Sequence, residues 1–153
     1  MEDEITFATL EEQFRRKAAE VAANPPRKHS ANEEHKIQCA CVRWFRTQYP
    51  HLKNLLFAIP NGGFRTEAVG AKMKAEGVLA GVLDLLLLIP RRECGALFLE
   101  CKTPKGRLSD KQKEFIEAAT QQGYICVVFR SITEFISIIQ NYLAGDLDKI
   151  KRL

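Results

Sequence analysis

Gly81-Val82-Leu83-Asp84-Leu85-Leu86-Leu87-Leu88 and, further on, Phe98-Leu99-Glu100-Cys101-Lys102 decide how this chain folds. Each run is apolar enough to be a strand covered on both faces. Each also carries ionisable groups, which such a strand avoids because an unpaired buried carboxylate is costly to desolvate. Side chains alternate across a strand, so Phe98, Glu100 and Lys102 share one face, and Leu97, Leu99 and Cys101 share the other. On the earlier run, Leu83, Leu85 and Leu87 are expected on one face and Val82, Asp84 and Leu86 on the opposite one. The seven residues from Pro90 to Ala96 can join an antiparallel pair but are too few for a parallel crossover. Antiparallel pairing brings Asp84 beside Glu100.

Asp84, Glu100 and Lys102 need a shared reason to sit in apolar strands. Two adjacent acidic oxygen donors suit a hard cation such as Mg²⁺ or Mn²⁺. A divalent ion bound to a nucleic-acid phosphate supplies that reason, with the lysine facing the reacting phosphate or water. A structural ion pair accounts for the same three residues, and on spacing alone both readings stand.

Around these strands the rest of the order follows. Asn32 can cap a helix running to about Gln48, with Ile37, Cys41, Trp44 and Phe45 on its buried stripe. Leu55 to Ile59 reads as a short strand, Asn61-Gly62-Gly63 as a turn, and Phe64 to Glu76 as a helix. Ser109 opens a helix to about Gln122. Tyr124 to Phe129 is a fourth strand. Ser131 opens a last helix with Ile132, Phe135, Ile136, Ile139 and Leu143 inward. The strand–helix–strand crossover at the end makes the sheet mixed, with helices on both faces. The expected class is α/β, a mixed four-stranded sheet flanked by helices. Before it lies an N-terminal helical arm, residues 1–31, with a helix near Thr9 to Ala23 and a basic linker from Arg27 to Ala31. The domain spans residues 32–145, and a polar tail, residues 146–153, is expected to fray.

Composition narrows the classes. The chain has 153 residues, 46% of them apolar, enough for one domain with a core and too many for disorder. Its net charge of +4 permits a polyanionic partner without demanding one. No apolar run reaches membrane-spanning length. The acidic start, Met1-Glu2-Asp3-Glu4, is unlike a secretory signal, so a soluble cytoplasmic protein without membrane partners is expected. Five cysteines without a CxxC pair read as reduced, mostly buried thiols.

Other residues have two readings each. Glu34 and Gln38, four apart, share a helix face bordering the apolar stripe; they are a third acid and a polar neighbour at the site, or a solvated pair near a helix start. Glu33 competes with Glu34. Gln112 either closes a capping box with Ser109 or points into the cleft, and the two are compatible. Lys105, Arg107 and Lys111 can neutralise phosphates or form a solvated basic loop. Asn61 and Arg65 belong to a plain turn and helix start, or to a loop approaching nucleic acid.

Taken in order, these residues resemble the VRR-NUC branch of the PD-(D/E)xK nucleases. The motifs are Glu34-x-x-x-Gln38, Pro60-Asn61-Gly62-Gly63, Gly77-x-x-x-Gly81-x-x-Asp84, Glu100-x-Lys102-Thr103-Pro104-x-Gly106 and Ser109-x-x-Gln112, over about Asn32 to Tyr142. Leu83 stands where the signature has proline. The resemblance implies a restriction-endonuclease-like core. It makes Asp84 and Glu100 metal ligands aided by the Cys101 carbonyl, with Glu34 near the metal, Lys102 catalytic, and Gln38 and Gln112 supporting. It implies Mg²⁺- or Mn²⁺-dependent hydrolysis of DNA, leaving 5′-phosphate and 3′-hydroxyl ends. Small standalone members resemble Holliday-junction resolvases that act as homodimers, typical of phages and bacteria. The alternatives are a nuclease fold that only binds DNA or bridges partners, and a nuclease for other DNA or RNA forms.

Overall fold

The structure, a computed structural model, describes residues 28–60 and 66–153. Glu33–Leu153 form one compact unit. Helix α1 is Lys28–Gln48, strand β1 Leu56–Ala58, helix α2 Glu67–Ala75, and strands β2 and β3 Leu85–Leu87 and Leu97–Cys101. Helix α3 is Asp110–Gln121, strand β4 Ile125–Phe129 and helix α4 Ile132–Ala144. The expected N-terminal helix near Thr9 to Ala23 and the turn at Asn61-Gly62-Gly63 lie outside the described residues.

The four strands form one sheet in the order β1-β2-β3-β4. β1 pairs antiparallel with β2, and β2 antiparallel with β3 through Leu85↔Leu99 and Leu87↔Leu97. β3 and β4 run parallel, with Leu99 beside Val127 and Cys101 beside Phe129. Helix α3 makes the crossover that this parallel pair requires.

Helices cover both faces. On one, α1 brings Cys41 and Phe45, and α4 brings Phe135, Ile139 and Tyr142, onto Leu85, Leu87, Leu97 and Leu99. On the other, Ile116 and Ala119 of α3 meet Leu83 and Cys126, with Phe98 packed against them. Each large apolar side chain removed from water stabilises the fold by roughly 1.5–3 kcal/mol.

Several expectations are corrected. Leu83 does not share a face with Leu85 and Leu87; it lies in the α3-side cluster. Regular strand begins only at Leu85, so strict alternation does not reach back to Leu83. Helix α1 starts at Lys28 rather than Asn32, since Lys28 to Ala31 holds neither proline nor glycine to prevent it. Helix α2 starts at Glu67, where the Thr66 hydroxyl accepts the Val69 N–H at 3.4 Å. Ile132, in the first turn of α4, is exposed, whereas Tyr142 is fully buried and donates its hydroxyl to Ile89 O at 2.7 Å. The C-terminal tail does not fray. Leu147 and Ile150 are buried, and the Leu153 N–H donates to Cys126 O at 3.0 Å.

Candidate active site

Continuing the β2–β3 register by one pair sets Asp84 opposite Glu100, and opposite residues of an antiparallel pair face the same side. Each carboxylate grips the other strand's backbone. Asp84 Oδ2 accepts the Cys101 N–H at 2.9 Å, and Glu100 Oε2 accepts the Asp84 N–H at 3.3 Å. The Asp84 carbonyl takes the Ile59 N–H at 2.9 Å, so backbone hydrogen bonds fix Asp84 from two strands. Gly81 positions the approach. Its φ is +97°, and a Cβ there would lie 2.4 Å from the Lys111 carbonyl oxygen, so this turn packs against the start of α3 as only glycine can.

Glu100 is 1% exposed, and both of its oxygens are engaged. Lys102 Nζ lies 2.5 Å from Oε1, and Gln112 Nε2 donates to the same oxygen at 2.5 Å. Gln112 also completes the capping box of α3: its Oε1 accepts the Ser109 N–H at 2.9 Å, and the Ser109 hydroxyl accepts the Gln112 N–H at 3.2 Å. Gln112 therefore caps α3 and reaches Glu100 at the same time. From α1, Glu34 Oε1 accepts the Thr103 N–H at 3.0 Å, and its carbonyl accepts the Cys101 thiol at 3.4 Å. Glu34, rather than Glu33, is thus joined to the strand end. A Cβ on Gly106 would stand 3.2 Å from both Glu34 Oε1 and Lys102 Cδ, so glycine lets this loop close over the two side chains.

Burial dominates the electrostatics. Desolvation pushes the Asp84 carboxyl above its ordinary range, and nearby Glu34 adds to the rise against the Cys101 N–H and Lys102. Glu100 is also pushed up, by desolvation and then by the Asp84 charge, outweighing Lys102 and Gln112. Burial alone would push Lys102 down; its hydrogen bond to Glu100 and the three carboxylates outweigh this and hold the ammonium above its usual range. Burial pushes the Cys101 thiol up to about 12, so its side chain stays a neutral thiol and packs in the core.

The remaining candidates lie further out. Gln38 sits one turn along α1 from Glu34, half-buried, and its side chain makes no hydrogen bond to a described residue. Lys105, Arg107 and Lys111 are exposed. Asn61 and Arg65 lie outside the described residues. Sequence reasoning missed Arg130. Its Nη1 donates to Thr103 O at 2.5 Å and Gly106 O at 3.0 Å, bracing the loop whose Thr103 N–H holds Glu34. Continuing the β3–β4 register by one pair sets Arg130 beside Lys102, a signal that register arithmetic could have supplied.

The donor set fits a hard divalent cation. Two carboxylates with raised pKa, and Glu34 beside them, lie at one strand end with the Cys101 backbone. Burial and the neighbouring acids leave both carboxyls above their ordinary range in spite of Lys102, a penalty that a bound cation would lower. Among the described residues no three His, Cys, Asp or Glu side chains form a ready cage. Glu34 is occupied at Thr103, and Lys102 sits on Glu100. One or two carboxylates with water completing the shell is the habit of Mg²⁺.

The VRR-NUC domain model matches residues 24–132 of this chain. A solved structure of a "VRR_NUC domain protein" is similar, with a TM-score of 0.64 and 30% identity over 73% of this chain and 88% of that one. No curated protein matches.

Proposed function

Because the chain belongs to the VRR-NUC domain family and carries its nuclease-type fold, we propose that it is a metal-dependent, structure-selective DNA endonuclease. Its preferred substrate would be branched DNA such as a four-way junction. The observation that carries this reading is the convergence of Asp84, Glu100 and Lys102 at the end of β3, with Gln112 and Glu34 completing the surround.

Asp84 and Glu100, with the Cys101 carbonyl and with Glu34 nearby, would hold Mg²⁺ or Mn²⁺. When bound, the ion polarises the phosphate and lowers the pKa of a coordinated water. Gln112 fixes the rotamer of Glu100 from the rigid start of α3. Lys102 stays protonated, held by Glu100, and offers its charge to the developing negative charge on phosphorus. Gln38, one turn along α1 from Glu34, would be the supporting polar residue that the family resemblance implies. Symmetric cutting of a four-way junction requires two such sites, which favours a homodimer.

Four-way junction, flap, linear duplex and RNA, each incubated with Mg²⁺ or Mn²⁺, test the proposal. The junction is cut fastest, and Asp84→Asn or Lys102→Ala lowers the rate by about 10²–10⁴ while the circular dichroism spectrum is kept. Normal cutting by either variant removes the site assignment. Binding without cutting leaves a DNA-binding protein, and preference for RNA or linear duplex replaces the substrate.

A further inference from the structure

Next to the site, on its β4 side, lies a cleft of about 550 Å³. Its charged lining is Arg107, Lys113, Arg130, Lys149 and Lys151 against one acid, Glu134. Glu134 Oε2 is already held by the Arg130 N–H at 2.6 Å. Lys113 pairs with Asp110 at 2.8 Å and Lys149 with Asp146 at 2.7 Å, all exposed. Such pairs contribute little and exchange readily for another anion. Arg107 and Lys151 make no hydrogen bond or ion pair with a described residue.

The cleft and the carboxylate site share one wall, the loop from Thr103 to Gly106. The guanidinium of Arg130 holds the carbonyls of Thr103 and Gly106 from the cleft side, while Gly106 presses on Glu34 and Lys102 from the other. A strand whose phosphates recur about every 3.4 Å of helix rise can therefore span both. The backbone that carries Lys149 and Lys151 is docked by the burial of Leu147 and Ile150 and by the Leu153 N–H on Cys126 O. Both lysines lie beyond residue 132, where the family match ends, so this wall belongs to this chain's own C-terminal segment.

We propose that this cleft binds the backbone phosphates of a nucleic-acid strand close to the bond being cut, with Lys149 and Lys151 supplied by the C-terminal segment. The inference rests on the nuclease reading only in taking its ligand to be nucleic acid. Fluorescence anisotropy of a labelled four-way junction with the full chain in EDTA, over a range of salt concentrations, separates binding from cutting. Lys151→Glu, and Lys149→Gln with Lys151→Gln, should weaken binding several-fold. The double glutamine variant should reduce the slope of log affinity against log salt by about 0.9 for each phosphate it no longer neutralises. Lys53→Glu, the same charge change beside the opposite edge strand, sets the effect of net charge alone. If Lys151→Glu matches Lys53→Glu, or the salt slope is unchanged, the inference is overturned. It is also overturned if poly-glutamate competes as well as DNA, because the cleft then serves an acidic protein segment. A wild-type protein that binds through these lysines but never cuts would overturn the nuclease reading and leave this inference standing.

Discussion

Asp84 concentrates the tension in this molecule. Its raised pKa means that the folded chain disfavours the charged form. The corresponding stability is fully present below the ordinary carboxylate range and is lost as pH rises through the raised value. Asp84→Asn keeps an oxygen for the Cys101 N–H and removes the charge. In EDTA at neutral pH the variant should be more stable and melt at a higher temperature, and the gain should vanish as the pH falls through the carboxylate range. Calorimetric melts over that range check it, and a lower Tm at neutral pH would count against it. Cleavage should follow the opposite course, falling on acidification from above the ordinary carboxylate range. Asp84, Glu100 and Lys102 were legible in the sequence because each breaks an apolar run. Gln112 and Glu34 were legible only as alternatives, since a capping box and a solvated helix pair explain them locally. Arg130 follows a strand like any surface arginine, and only its place beside Lys102 in the continued register gives it meaning.

At the scale of elements, the site depends on how the β2 approach and the start of α3 are pressed together. Gly81 lies against the Lys111 backbone, whereas Gly77, also at positive φ (+93°), has nothing within 4 Å of the Cβ position. The two glycines separate backbone strain from close packing. Gly77→Ala should cost about 1 kcal/mol, from the left-handed conformation alone. Gly81→Ala adds overpacking of about 1–3 kcal/mol and must displace α3, loosening Gln112 from Glu100. Denaturant midpoints give the stabilities, and cleavage should drop for Gly81→Ala only. Equal effects at both positions would refute this distinction. The order of strands and helices was readable from periodicity and caps: Ser109 and Ser131 cap the helices they announced. The extent of β2 was not readable. Eight apolar-looking residues suggested a long strand, yet three are regular strand, because Leu83 turns to fill the α3 side.

For the whole molecule, β3 is the hinge of the sheet, antiparallel to one neighbour and parallel to the other. Its C-terminal end therefore gathers side chains from the entry to β2, the exit of β4, the second turn of α1 and the first turn of α3, without long loops. The C-terminal segment extends this construction. Its composition is polar, so its sequence suggested a loose tail, but two spaced apolar residues, Leu147 and Ile150, suffice to dock it. Periodicity cannot reveal a docking made by so few side chains. Ile150→Ala should therefore cost about 2–4 kcal/mol and lower Tm by roughly 5–10 °C, whereas Lys151→Ala, one residue away and exposed, should stay within about 0.5 kcal/mol of wild type. If the tail were frayed, both substitutions would be silent in a thermal melt. If it is docked, Ile150→Ala should also mobilise Lys149 and Lys151 and weaken DNA binding in EDTA without touching a charge.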